Sequence, residues 1–159
     1  MNHGQPGDTI VCVEQLRKKR GKQQALDGVS FSIPRGRVLG LIGPNGAGKT
    51  TTIKILIGLL RPDSGRAEVF GTLPMELAPA DRQRIGYLSE STDSELPDLP
   101  ITELLEYQSH FFAAWDWQWC RQLIDRMGVA PARTLYSMSA GERRKTELLL
   151  ALAHRPDLL

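Results

Sequence analysis

The octapeptide Gly43-Pro44-Asn45-Gly46-Ala47-Gly48-Lys49-Thr50 constrains this chain more than any other stretch, because it satisfies G-x-x-x-x-G-K-[ST] in full. Its setting adds specificity. It follows the compact apolar segment Arg37 to Ile42, read as a buried strand, and it opens a helical pattern running from about Lys49 to Leu60. Ile53, Leu56, Ile57 and Leu60 form the expected apolar face of that helix. Glycines at 43, 46 and 48 admit backbone conformations closed to other residues and let main-chain N–H groups approach an anion. Those groups and the positive end of the helix form a phosphate cradle. Lys49 stands where it neutralises β- and γ-phosphates, Thr50 where its hydroxyl ligates Mg²⁺, and Thr51 near the α-phosphate. The expected ligand is a nucleoside triphosphate with Mg²⁺.

Around the loop the chain alternates strand and helix patterns, which places it in the α/β class. Strands are expected at Ile10 to Val13, Val29 to Ile33, Arg66 to Phe70 and Ile85 to Leu88. Helices are expected at Ile101 to Ala114 and Trp117 to Met127, with Thr102 or Asp116 as caps and Gly128 ending the second. The basic run Arg17 to Lys22 reads equally well as a solvated turn or a functional patch. Trp115, Trp117 and Trp119 read as packing between the two helices, with a binding surface as the alternative use of such an indole cluster. A second constellation, Ser137-Met138-Ser139-Ala140-Gly141-Glu142, opens a further helix reaching about His154, with Ser139 and Glu142 in capping-box spacing. A serine hydroxyl, a glycine N–H and a helix N-terminus together make another phosphate-facing surface.

Charge and composition narrow the class. With 20 Lys+Arg against 18 Asp+Glu, the net charge of +2 is too balanced for a dedicated nucleic-acid binder, so no nucleic-acid partner is expected. No stretch approaches the roughly 18–20 apolar residues of a membrane span, and residues 1 to 8 lack the apolar region of a signal peptide. Cys12 and Cys120 fit no metal-ligand spacing and read as reduced core residues.

On these motifs the chain resembles the nucleotide-binding domain of ATP-binding cassette (ABC) transporters from Thr9 to Leu159. Ala25 to Phe31 resembles the strand leading to that family's phosphate loop (Walker A), and Gly43 to Thr51 matches the loop itself. Ile85-Gly86-Tyr87-Leu88-Ser89-Glu90 falls at the Q-loop, Met138 to Glu142 at the signature Leu-Ser-Gly-Gly-Gln, and Arg155 to Leu159 at the approach to Walker B. Phe112 to Asp116 and Glu90 resemble most the ATPases of bacterial ABC-2-type exporters. The resemblance implies a P-loop NTPase core with an antiparallel β-subdomain and a helical subdomain, incomplete at the C-terminus. Residues 1–89 would form the ATP-binding core, 90–138 the Q-loop and helical subdomain, and 139–159 the signature helix and start of the Walker B strand. It implies ATP and Mg²⁺ as cofactors. ATP would be held by Gly43 to Thr51 and Arg20, Mg²⁺ by Thr50 and Glu90, and a partner subunit's ATP by Ser139, Ala140, Gly141 and Glu142, with Lys49 and Glu90 as catalytic residues. The implied partners are a second nucleotide-binding subunit and transmembrane permease subunits, and the implied place is cytoplasmic, peripheral on the inner face of the cell membrane.

Departures from the family pattern carry expectations of their own. Arg20 stands where an aromatic usually stacks on adenine, and its guanidinium plane offers a weaker stacking surface. Glu90 replaces a glutamine and adds negative charge beside the γ-phosphate, while Met138, Ala140 and Glu142 alter the signature. The chain stops before the Walker B carboxylate and catalytic glutamate, so it reads as the N-terminal portion of a longer domain that hydrolyses ATP, with no hydrolysis expected of the 159 residues alone. The leading expectation is the ATP-binding subunit of an exporter. The alternatives are a catalytically dead remnant, a soluble non-transport ABC ATPase and, last, a small nucleotide kinase.

Overall fold

A computed structural model describes residues 9–89 and 98–159. The chain divides into two compact units, Met1–Arg82 and Gln83–Leu159.

The first unit is built on an antiparallel hairpin, β1 (Thr9–Arg20) and β2 (Gln23–Pro34), with β3 (Ser64–Val69) on the other side of β1 in the order β2-β1-β3. Val11 and Val13 point inward by strand alternation, and the next buried residue is Leu16 rather than residue 15. A bulge explains the shift: Gln15 takes φ 47°, the register slips between Val13 and Leu16, and the Gln15 N–H donates to Ser30 Oγ at 2.8 Å. The inward row meets Leu26, Ala67 and Val69, and the buried Ile55 and Leu56 belong to the same unit. The basic run is mostly strand. Arg17–Arg20 pairs with Gln23–Asp27, leaving Gly21 and Lys22 as the turn.

Helix α1 spans Lys49–Leu56, shorter than the apolar pattern predicts. Gly58 at φ 76° stops it: its N–H donates to Ile55 O at 3.0 Å and the Leu59 N–H to Lys54 O at 2.8 Å, a Schellman ending. The buried face is Thr51, Thr52, Ile55 and Leu56, whereas Ile53 is 38% exposed, so the expected apolar face is rotated. A one-turn helix, α2 (Pro79–Arg82), closes the unit.

The expected strand at Arg37 to Ile42 does not form. No residue between 37 and 43 joins a strand among those described, and Val38 and Ile42 stand 100% and 98% exposed. A parallel strand is held by hydrogen bonds to neighbours on its edges, and the described residues supply none.

In the second unit, α3 (Ile101–Ser109), α4 (Trp117–Met127) and α5 (Ala140–Leu152) enclose one core. Ile101, Leu104 and Leu105, at helical spacing, meet Cys120, Leu123, Leu149 and Leu150 in it. Each such side chain contributes about 1.5–3 kcal/mol on full burial. Burial pushes the Cys120 thiol up to about 11, which keeps it protonated and inert. Asp116 caps α4 by accepting from the Trp119 N–H at 2.9 Å, and Gly128 at φ 59° ends it, both as expected. Thr102 is not a cap, because the α3 cap position is Pro100 and Thr102 lies inside the first turn. Trp119 packs against the core and donates through Nε1 to Leu152 O at 3.0 Å. Ile85 forms a lone parallel bridge with Leu158 rather than a strand, and Gly86 N donates to Leu158 O at 2.8 Å.

Candidate functional site

In the first unit the loop of residues 43–48 runs into α1 through Gly48, whose φ of 87° makes it the left-handed N-cap. The position tolerates no side chain: a Cβ there would lie 2.3 Å from Ala25 O and 2.5 Å from Leu26 Cδ2. The close contact between loop and β2 is what the glycine secures. Gly46 is left-handed as well, at φ 84°, while Pro44 O accepts the Ala47 N–H at 3.2 Å. Lys49 turns back over the loop, donating from Nζ to Gly43 O at 2.7 Å and Pro44 O at 2.9 Å. Two carbonyls thus hold the ammonium against the loop. Gly43, Pro44, Asn45, Gly46, Ala47 and Thr50 are exposed, whereas Gly48 and Thr51 are buried. The first turn of α1 carries no acidic side chain, so nothing there opposes an anion.

A cleft of about 480 Å³ lies between the tip of the hairpin and α1, lined by Lys18, Lys19, Arg20 and Gly21 on one side and by Thr50, Thr51, Lys54, Leu59 and Leu60 on the other. Arg20 therefore shares a cleft with Thr50 and Thr51 at the start of α1, and the hairpin side of that cleft is cationic. Asp63 fixes that wall, a role sequence reasoning missed. Its carboxylate accepts from Lys18 Nζ at 2.6 Å and from the Lys19 N–H at 2.7 Å, and its own N–H donates to Arg17 O at 2.9 Å. The Lys18 hydrogen bond, then the Lys19 amide, hold the Asp63 carboxyl below its ordinary range. The only sequence signal was its place in the polar, Pro-containing stretch Arg61 to Gly65, which reads as a turn.

In the second unit Ser139, Ala140, Gly141 and Glu142 sit together at the N-terminus of α5. The capping box is complete: Glu142 N–H donates to Ser139 Oγ at 3.4 Å, and Glu142 Oε2 accepts from the Ser139 N–H at 2.8 Å and from Ser139 Oγ at 2.7 Å. The other oxygen, Oε1, accepts from Arg133 Nη1 at 2.7 Å. The Ser139 hydroxyl first, then its amide, then Arg133 draw the Glu142 carboxyl down to about 2. Arg133 also donates from Nη2 to Ser137 O. It too went unnoticed in the sequence, since it stands nine positions before Glu142 with no helical period linking them. Glu90 lies outside the described residues. Among the described residues no group of acidic, His and Cys side chains is arranged to hold a metal by itself, and no helix is long and apolar enough to cross a membrane.

Known proteins resemble this chain in sequence and in fold. The sequence profile of the ABC transporter family matches residues 26–159. A daunorubicin resistance ATP-binding protein of Streptomyces coeruleorubidus is 38% identical over 96% of this chain and 49% of its own length. A Nod factor export ATP-binding protein of Ralstonia nicotianae is 34% identical over 94% of this chain and 48% of its own. A solved ATP-binding subunit of an ABC transporter superposes with a TM-score of 0.77 at 27% identity, covering 93% of this chain and 63% of that one. The chain thus spans about half the length of these curated relatives. A left-handed glycine loop opening α1, a capped serine-glycine helix start and a family match across both units lead to one statement: this chain belongs to the ABC transporter family.

Proposed function

We propose that this chain carries the ATP-binding part of an exporter's ATPase subunit, with residues 1–89 as the ATP-binding core, 90–138 as the Q-loop and helical subdomain, and 139–159 as the signature helix and start of Walker B. The observation that carries the reading is the loop of residues 43–48 with Lys49 poised over it on the Gly43 and Pro44 carbonyls. A triphosphate docking on the loop replaces those carbonyls as the partner of Nζ, while loop N–H groups and the α1 N-terminus receive the remaining oxygens. The nucleoside end extends into the cationic cleft, where the Arg20 guanidinium offers a plane for the base.

The donor set fits Mg²⁺ only in company with phosphate. Thr50, exposed at the second position of α1, offers one hydroxyl, and hard divalent cations in such sites take few protein ligands and several phosphate oxygens. Glu90 is the second proposed ligand and, with Lys49, a proposed catalytic residue. The ion, when bound, would neutralise charge on the terminal phosphates. Ser139 to Glu142 would face the ATP of a second nucleotide-binding subunit, and association on ATP would drive permease subunits at the inner face of the membrane. The relatives' names, resistance to daunorubicin and Nod factor export, support export as the direction.

The test is equilibrium titration of MgATP into the protein and into Lys49→Ala. We expect saturable binding by the first and at least a hundredfold weaker binding by the second, since the variant loses a charge-assisted contact to two phosphates. Equal affinities would overturn the reading.

A further inference from the structure

We infer that Arg133 is a positioning residue that cancels the charge of Glu142, and so allows Ser139 to meet the triphosphate of a second subunit. The inference rests on the proposed role of the signature helix and adds a residue to it. A carboxylate at the N-terminus of a phosphate-facing helix presents a conflict: Glu142 caps the helix well, yet it places a negative charge one hydrogen bond from the Ser139 hydroxyl, 2.7 Å away. A polyanion approaching Ser139 meets that charge directly. Arg133 resolves the conflict from outside the helix. Its Nη1 takes Glu142 Oε1 at 2.7 Å, and the same guanidinium is anchored on Ser137 through the carbonyl and, at 3.4 Å, through Oγ.

The anchoring extends to the backbone. Arg133 O accepts the Ile101 N–H at 3.2 Å, and Thr134 bridges Pro100, so the start of α3 holds the residue that neutralises the start of α5. With Oε1 held by Arg133, Glu142 keeps Oε2 on Ser139, and the hydroxyl can exchange that acceptor for a phosphate oxygen without leaving an unpaired carboxylate behind. Because the pair is half exposed, its effect is screened by salt and is electrostatic rather than packing in character.

The test is ATP-driven association of the full natural polypeptide, followed by sedimentation at low and high salt, for Arg133→Gln, Arg133→Lys, Glu142→Gln and the Arg133→Gln/Glu142→Gln double variant. We expect Arg133→Gln to raise the ATP concentration for half-maximal association roughly tenfold at low salt, with the loss shrinking at high salt. Arg133→Lys should stay within about threefold of the parent, because it keeps the charge. The double variant should return to the level of Glu142→Gln, the coupling expected when the cation is needed only for the carboxylate. An unchanged Arg133→Gln, or a loss that Glu142→Gln does not rescue, overturns the inference and leaves Arg133 as a brace for the Ser137 turn. A parent protein that never associates on ATP overturns the signature reading and this inference together.

Discussion

At the scale of single residues, one missing methyl group keeps the phosphate loop in place. Gly48 combines a left-handed backbone with a contact to Ala25 O that no Cβ survives, so Gly48→Ala meets both strain and a backbone clash. We expect that substitution to lower the stability of the first unit by roughly 2 kcal/mol, read as a lower urea midpoint, and to abolish nucleotide binding. Gly46, also left-handed, has open space at its Cβ, so Gly46→Ala carries only the conformational penalty and is expected to cost about half as much. Equal costs at both positions would show that the contact with β2 is not what makes Gly48 necessary. Lys49 illustrates the reverse economy: its Nζ donates to two carbonyls of the loop itself, so the ammonium is paired by the residues it stands over.

At the scale of elements, caps decide where helices begin and end. Asp116 serves two partners, the Trp119 N–H through Oδ1 and Arg155 Nη1 through Oδ2 at 2.7 Å. We expect Asp116→Ala to destabilise the second unit by about 1 kcal/mol and Asp116→Asn by less, since asparagine keeps the cap and loses only an exposed ion pair. Urea midpoints that fall equally for both would place the effect on the ion pair instead. The cap at Asp116 and the stop at Gly128 were legible in the sequence because polar and glycine signals stood at the edges of an amphipathic run. Gly58 is the same device, but the apolar neighbours Ile57, Leu59 and Leu60 carried the helical pattern past it. The phosphate loop and the capping box were legible because both are local: their chemistry lies within eight and four consecutive residues. The side chains that brace them were not. Asp63 reaches Lys18 across 45 positions and Arg133 reaches Glu142 across nine, and no periodicity announces contacts made by the fold. The Gln15 bulge was missed for a related reason, since it shows only in the pairing with Ser30.

At the scale of the whole molecule, the two units differ in how far the described residues complete them. The helical unit closes a core around Leu104, Leu105 and Leu149. The first unit closes its antiparallel sheet but leaves the segment leading into the phosphate loop uncovered, with Val38 and Ile42 in full contact with solvent. Apolar β-branched residues displayed on a segment that joins no sheet favour association between chains. Replacing Val38 and Ile42 together by Ser is therefore expected to raise the soluble fraction of the 159-residue chain, measured by light scattering, and to shift its unfolding free energy by less than about 0.5 kcal/mol. Scattering that does not fall would locate the association elsewhere. The same segment has a consequence for synthesis on the ribosome. The sheet β2-β1-β3 is complete once Val69 has emerged, so it can set early. Val38 to Ile42 emerges in the middle of that sheet's sequence and finds no strand there to join. At roughly 5–20 residues per second, it stays open for several seconds while the residues up to Leu159 are made. The segment leading into the loop of residues 43–48 is thus also, among the described residues, an apolar handle open to a chaperone.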